Sequence, residues 1–303
     1  MEKPSILHLF TSAKNASPFD VNMAFDAGYN KIMPYTNVEL SEVAGLTQDA
    51  IFSRSPSGVK REGIFIGGRD IDLSMQMLKA AKSAMFAPFA CSVFADPSGA
   101  FTTAAAMIAK VEVQLKLKFD RDLNGKVLTV FGATGPVGGC AAIIAASCGA
   151  NVQLVAHNLM SKVETKVQNW NSQYKVNMHT VDGTNETKKA AVLAQADIVI
   201  CTAAAGVQVV SDKQLLAAKQ LQVVADVNAV PPNGIQLLDV GSDGELITGT
   251  QTIGIGALAI GQLKYQTQHQ LLKQMLSAEA DKPQYLEFMA AFHLARALLK
   301  NPS

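Results

Sequence analysis

The segment that most restricts how this chain can fold is Lys126-Val-Leu-Thr-Val-Phe-Gly-Ala-Thr-Gly-Pro-Val-Gly-Gly139. A β-branched apolar run, Val127 to Phe131, ends on Gly132, Gly135 and Gly138, and a small-residue stretch from Cys140 to Ala146 follows. Strand, glycine turn and tightly packed helix in that order make the phosphate-binding unit of an open parallel sheet. Glycine lets the main chain approach a pyrophosphate, and the N–H groups at the helix start face its charge. Gly132, Thr134, Gly135, Pro136, Val137 and Gly138 are therefore candidate cofactor residues. Thr134 can donate to a phosphate, and the fixed φ of Pro136 suits a first helical turn. The turn lies near the middle of 303 residues, so a second domain must account for the chain before it.

Downstream, the expected rhythm is strand 127–131, a helix, strand Asn151 to Ala156, helix 161–173 and strand Val176 to Val181. Helix 187–195, strand Ile198 to Cys201 and strand Gln222 to Val227 complete it, before a loop Asn228-Ala-Val-Pro-Pro-Asn-Gly234. Upstream, Ile6 to Phe10, Gly63 to Ile66 and Ala90 to Phe94 read as strands. They alternate with helices over Phe19 to Ala27, Asp72 to Met85 and Thr102 to Leu117, the pattern of a parallel α/β domain. Asp120-Arg-Asp-Leu-Asn-Gly125 is a polar boundary. Beyond Gly261 no strand is expected; Lys264 to Met275 and Gln284 to Lys300 read as helices that return to the first domain. The expected division is 1–120 with 265–303 as a discontinuous, smaller α/β substrate domain, and 121–264 as a Rossmann-type dinucleotide-binding domain.

The end of the second Rossmann strand should choose the cofactor, because an acidic side chain there accepts from the ribose hydroxyls of NAD. This chain has Leu154-Val-Ala-His-Asn-Leu-Met-Ser-Lys162 instead. No carboxylate repels a 2′-phosphate, and His157, Asn158, Ser161 and Lys162 can contact one. NADP is the expected cofactor, with NAD accepted. Thr202, Ala203 and Ala204 follow a strand end and leave room for a ribose or nicotinamide. Asp226 and Asn228 close the next strand, where an Asx turn and a cofactor contact are equally good readings. Lys264 follows Gly261-Gln-Leu, and Phe19 and Asp20 open the first helix, where a carboxylate also complements the dipole.

Near-zero net charge removes the basic field of a nucleic-acid binder, and no apolar run reaches membrane-span length. The opening Met1-Glu-Lys-Pro4 has no leader pattern, so a cytoplasmic location is expected. The four cysteines stand singly, and Cys140 and Cys148 would lie about 12 Å apart along a helix, too far for a disulfide. The histidines lack ligand spacing, and no metal is assigned.

With these residues assembled, the chain resembles the NAD(P)-dependent methylene-tetrahydromethanopterin dehydrogenases, in particular the branch from bacteria that oxidise one-carbon compounds. The resemblance is carried by Ser17-Pro-Phe-Asp-Val21, Gly67-Gly-Arg-Asp70, Thr102-Thr-Ala-Ala-Ala106, Ala133-Thr-Gly-Pro-Val-Gly138, Ala225-Asp-Val-Asn-Ala229 with Pro231-Pro232, and Gly261-Gln-Leu-Lys264 with His269. It implies hydride transfer from methylene-tetrahydromethanopterin to NAD(P), with cofactor and pterin meeting in a cleft between two domains. It also implies a homo-oligomer, a trimer or hexamer. Phe19, Asp20, Thr102 and Lys264 are then substrate residues. Lys264, the one residue assigned to the catalytic centre, would touch a pterin or cofactor oxygen, because a cation beside the forming methenyl cation would oppose the reaction. No tyrosine has a lysine four positions later, the pair that related cyclohydrolases use, so no hydrolysis of the product is expected. The alternatives are the same chemistry on methylene-tetrahydrofolate, and an NADP(H)-binding sensor without turnover.

Overall fold

The fold is described from a computed structural model, and the structure describes residues 3–277 and 282–300. The end of the expected substrate domain, residues 301–303, lies outside them, as do Met1, Glu2 and residues 278–281. In chain order the elements begin β1 (Ile6–Phe10), α1 (Pro18–Asp26), β2 (Lys31–Tyr35), α2 (Val43–Phe52), α3 (Pro56–Val59), β3 (Glu62–Ile66), α4 (Ile71–Ser83), β4 (Ser92–Ala95) and α5 (Ala100–Phe119). They continue as β5 (Val127–Phe131), α6 (Pro136–Ser147), β6 (Asn151–Ala156), α7 (Met160–Tyr174), β7 (Met178–Asp182), α8 (Glu186–Leu193), β8 (Ile198–Cys201), α9 (Asp212–Ala217) and β9 (Val223–Asp226). The last are β10 (Asp243–Leu246), β11 (Ile253–Ile255), α10 (Ala257–Ser277), β12 (Tyr285–Leu286) and α11 (Phe288–Lys300).

The chain divides into two compact units, Met1–Thr102 with Tyr265–Leu294, and Thr103–Lys264 with Ala295–Ser303. These bounds differ from the expected division: most of α5 and the last turns of α11 group with the second unit. The first unit holds, among the described residues, a five-stranded parallel sheet of order β12-β4-β3-β1-β2. Every residue of β3 is buried, as a strand covered by helices on both faces must be. Its order reverses at β1, so the chain leaving β1 and β3 borders a crevice at their carboxyl ends. Cap and strand chemistry agree locally: Asp70 accepts from the Leu73 amide at 2.9 Å to start α4.

The second unit holds a seven-stranded sheet of order β10-β11-β9-β8-β5-β6-β7, parallel except for the β10–β11 pair. Six of these strands follow the order of a doubly wound dinucleotide fold, with the reversal at β5, the strand that feeds the glycine turn. The fold class is thus the one the sequence implies. Helix α6 is buried from Gly138 through Ala145, which is why it is built of small residues.

Four strands escape the sequence pattern. β2 is an exposed edge strand containing Pro34, tolerated there because an edge leaves one row of donors unused. β10 is another exposed, polar edge, β11 is three residues long, and β12 only two. β12 also corrects the expectation of no strand beyond Gly261: Tyr285 and Leu286 pair with Val93 and Phe94. Likewise α10 begins at Ala257, so Gly261 and Lys264 lie inside the helix.

Candidate functional site

Gly132 leaves β5 with φ +76°, and a Cβ there would stand 2.4 Å from the Thr202 carbonyl. Gly138 sits in the first turn of α6, where a Cβ would meet Thr202 Oγ1 at 2.5 Å and the Gly132 carbonyl at 2.7 Å. Thr202 itself is fixed by its hydroxyl and its amide, both donating to the Phe131 carbonyl at 2.9 Å. Strand β8 and the turn are therefore in backbone contact, closer than any side chain allows. The helix start has no side-chain cap: Gly135 is the N-cap and Pro136 has no N–H. The next amides have no capping side chain, and such a start receives a pyrophosphate well.

A cavity of about 580 Å³ opens beside this turn. It brings together seven of the expected cofactor residues: Gly132, Thr134, Gly135, His157, Thr202, Ala203 and Ala204. Pro136, Val137 and Gly138 form the helix start behind it. Its remaining wall was not anticipated. Thr184 and Asn185 come from the β7–α8 connection, Glu186 and Lys189 from the start of α8, and Gln208 and Val209 from beyond β8. Asp182-Gly183-Thr-Asn185, a strand end running into an N-cap, was the available signal. Lys189 and Gln214 both bond the Glu186 carboxylate at 2.8 Å, so the one acidic wall residue arrives with a counter-charge.

Three expected residues are placed otherwise. Asn228 turns inward: its Oδ1 accepts from the Gly206 and Val230 amides, and its Nδ2 donates to the Pro232 carbonyl at 3.0 Å. The Val230 amide bond is that of an Asx turn. Asn158 is exposed, its Oδ1 bonded to the next amide, and Lys162 is also exposed. Beside Asn228, Asp226 accepts from the Asn228 and Ile235 amides at 2.9 and 3.0 Å. Burial raises its carboxyl above the usual range against those bonds. Burial also pushes the neighbouring Cys201 thiol up to about 12, so it behaves as an inert core group.

In the first unit, Asp20 is buried at 4% exposure and its Oδ1 accepts from Gln268 Nε2 at 3.1 Å. A Cβ at Gly67 would lie 3.9 Å from Asp20 Oδ2 and 3.6 Å from Thr11 Cβ, so the carboxylate borders the crevice after β1 and β3. Phe19, one position earlier, is exposed. Thr102 is fully buried, and its hydroxyl donates to Asp96 Oδ2 at 2.7 Å. Asp96 Oδ1 takes the Phe101 and Thr102 amides, so this pair anchors the start of α5. Lys264 is half-buried on α10.

Residues 18–98 match the family model described as methylene-tetrahydromethanopterin dehydrogenase, N-terminal. Over 292 residues the chain is 45% identical to the NAD(P)-dependent methylenetetrahydromethanopterin dehydrogenase of Methylorubrum extorquens AM1, covering 96% of this chain and 97% of that protein. The chain belongs to that family. The bifunctional protein MdtA of the same organism is 29% identical over 86% of this chain and 88% of its own. Among solved structures, the shikimate 5-dehydrogenase of Listeria monocytogenes superposes with a TM-score of 0.57 at 15% identity, covering 98% of this chain and 96% of that one. This last likeness concerns the fold alone. Within the dehydrogenase family model fall Phe19, Asp20 and the Gly67–Asp70 turn, while Thr102 lies beyond its end.

Proposed function

We propose that the chain oxidises methylene-tetrahydromethanopterin to methenyl-tetrahydromethanopterin with NAD(P)+ as acceptor, a step of one-carbon (formaldehyde) oxidation. The observation that carries this reading is the 45% identity, which extends through 96% of the chain. The dinucleotide, when bound, supplies a nicotinamide ring that accepts a hydride. A carbon between two nitrogens loses that hydride to leave a cation shared by both lone pairs, so no proton has to move. The protein's residues are left to bind and align, an orientation effect.

Asp20 accepts from the amino and ring N–H edge of the pterin, a pairing suited to a carboxylate's two oxygens. Phe19 packs its exposed ring against the pterin face, and Lys264 bonds an oxygen of pterin or cofactor. Gly132, Thr134 and Gly135 hold the pyrophosphate. NADP is preferred because β6 ends without a carboxylate and Glu186 is held by Lys189. The enzyme works as a cytoplasmic homo-oligomer of three or six copies; no described helix is long and apolar enough to cross a membrane.

Absorbance of reduced nicotinamide, followed with methylene-tetrahydromethanopterin and first NADP, then NAD, tests this directly. Turnover with both, a higher kcat/KM with NADP and no hydrolysis of the methenyl product are expected. A higher kcat/KM with methylene-tetrahydrofolate would transfer the assignment to that carrier. Tight NADP binding without reduction by either pterin would make the protein a sensor. Asp20→Ala should raise pterin KM by at least about tenfold, the weight of a charge-assisted bond. If it and Lys264→Ala kept normal KM and kcat, both residue assignments would fail.

A further inference from the structure

We propose that Lys166 is the cation that recognises the 2′-phosphate of NADP, where the sequence pattern offers His157, Asn158, Ser161 and Lys162. The inference rests on the NAD(P) reading above and deepens it at one position. Lys162 is an exposed residue in the first turn of α7. Lys166, one turn further, is half-buried, and its Nζ lies 3.4 Å from the Thr134 carbonyl in the glycine turn. The same ammonium stands 5.2 Å from the ring centroid of Trp170, which is itself 1% exposed.

A surface lysine normally leaves a flexible, hydrated charge in solvent. Here an immobile indole face and a main-chain carbonyl hold the head group at the edge of the phosphate-binding turn. The location fits a ribose phosphate. A dinucleotide with its pyrophosphate on the turn after β5 sets its adenosine ribose at the end of the neighbouring strand, where NAD enzymes place a carboxylate. In this chain that strand is β6, and His157 at its end shares the cavity wall with Thr134. A 2′-phosphate therefore falls between the end of β6 and the turn that Lys166 touches.

Charge balance selects Lys166 among its neighbours. Lys188 is paired with Asp182 at 2.6 Å and Lys189 with Glu186 at 2.8 Å, so both are already neutralised. Lys166 contacts only a neutral carbonyl and a ring among the described residues. A lysine–carbonyl contact of 3.4 Å is long, and exchanging it for a phosphate oxygen yields a shorter, charge-assisted bond. NAD has no group to make that bond and loses nothing by its absence, which accounts for a preference between cofactors without exclusion.

The test is calorimetric titration of the full-length protein with 2′,5′-ADP and with 5′-AMP, for Lys166→Met, Lys166→Arg and Lys162→Met. These probes need no pterin, so the outcome is independent of whether the protein turns over either carrier. Lys166→Met should weaken 2′,5′-ADP by about ten- to hundredfold and change 5′-AMP by no more than about twofold, while Lys166→Arg retains most of the affinity. The ratio of kcat/KM for NADP to that for NAD should fall in parallel. Equal weakening of both probes would mean that Lys166 merely supports the glycine turn, and would overturn the proposal. So would an unchanged Lys166→Met, a larger loss from Lys162→Met, or a native protein that does not distinguish the two probes.

Discussion

At Gly138 an added methyl group would have to share space with Thr202 Oγ1 at 2.5 Å and the Gly132 carbonyl at 2.7 Å. Gly138→Ala should cost about 1–3 kcal/mol of stability, the usual range for overpacking, and should weaken NADP and NAD alike. Thermal melts with and without each cofactor check this; an unaffected Kd would separate the turn from cofactor binding. Glu62 offers a pH test. Arg54 lies 2.7 Å away, yet burial outweighs that pull and raises the carboxyl to about 7. A carboxyl raised on folding contributes its full stability below its unfolded value of 4.5 and loses it as pH rises through about 7. Glu62→Gln should therefore gain on the native protein between pH 5 and 8, by on the order of 3 kcal/mol at most. Denaturant melts at the two pH values give the difference; a constant gap would refute the shift. At this scale the glycines could be read from the string, because no other residue serves a strand-to-helix turn so close to a second strand. The fates of Asn228 and Thr102 could not be, because they depend on which main-chain groups fold back to meet their side chains.

Caps operate at the level of single elements. Asn185 accepts from the Lys188 amide at 2.9 Å to start α8, and its neighbours Thr184 and Glu186 line the cavity. Asn185→Ala should cost about 1 kcal/mol and also raise dinucleotide Kd. Asp70→Ala, at the equivalent cap of α4, should cost about the same and leave that Kd unchanged. Titrating both variants with NADP tells a local effect on the cavity from general destabilisation. Most of the longer elements announced themselves, whereas α2, β2, β10, β11 and β12 did not. An edge strand such as β2 carries exposed residues and even Pro34, since only one side needs donors. A two-residue strand such as β12 has no period to detect.

Across the whole molecule, α11 contributes to both compact units, its final turns grouping with the second. There Arg296 makes a two-point contact with Glu112 of α5, Nε to Oε2 at 2.6 Å and Nη2 to Oε1 at 2.5 Å. Arg296 is a third exposed, so Arg296→Ala should cost only about 1 kcal/mol, or about 2–4 °C in Tm. A double-mutant cycle with Glu112→Ala measures the coupling, and additive losses would deny the pair any role. The string of residues was sufficient for the α/β class, the dinucleotide unit and the family, because these follow from local order: apolar strand, glycine turn, small-residue helix, and motifs of contiguous residues. It was insufficient for the sheet edges, the β7–α8 wall of the cavity, and the contact of Lys166 with the glycine turn. Those depend on separate chain segments meeting in space, as Lys166 meets Thr134. Periodicity reports which face of an element is buried, and carries no record of what that face is buried against.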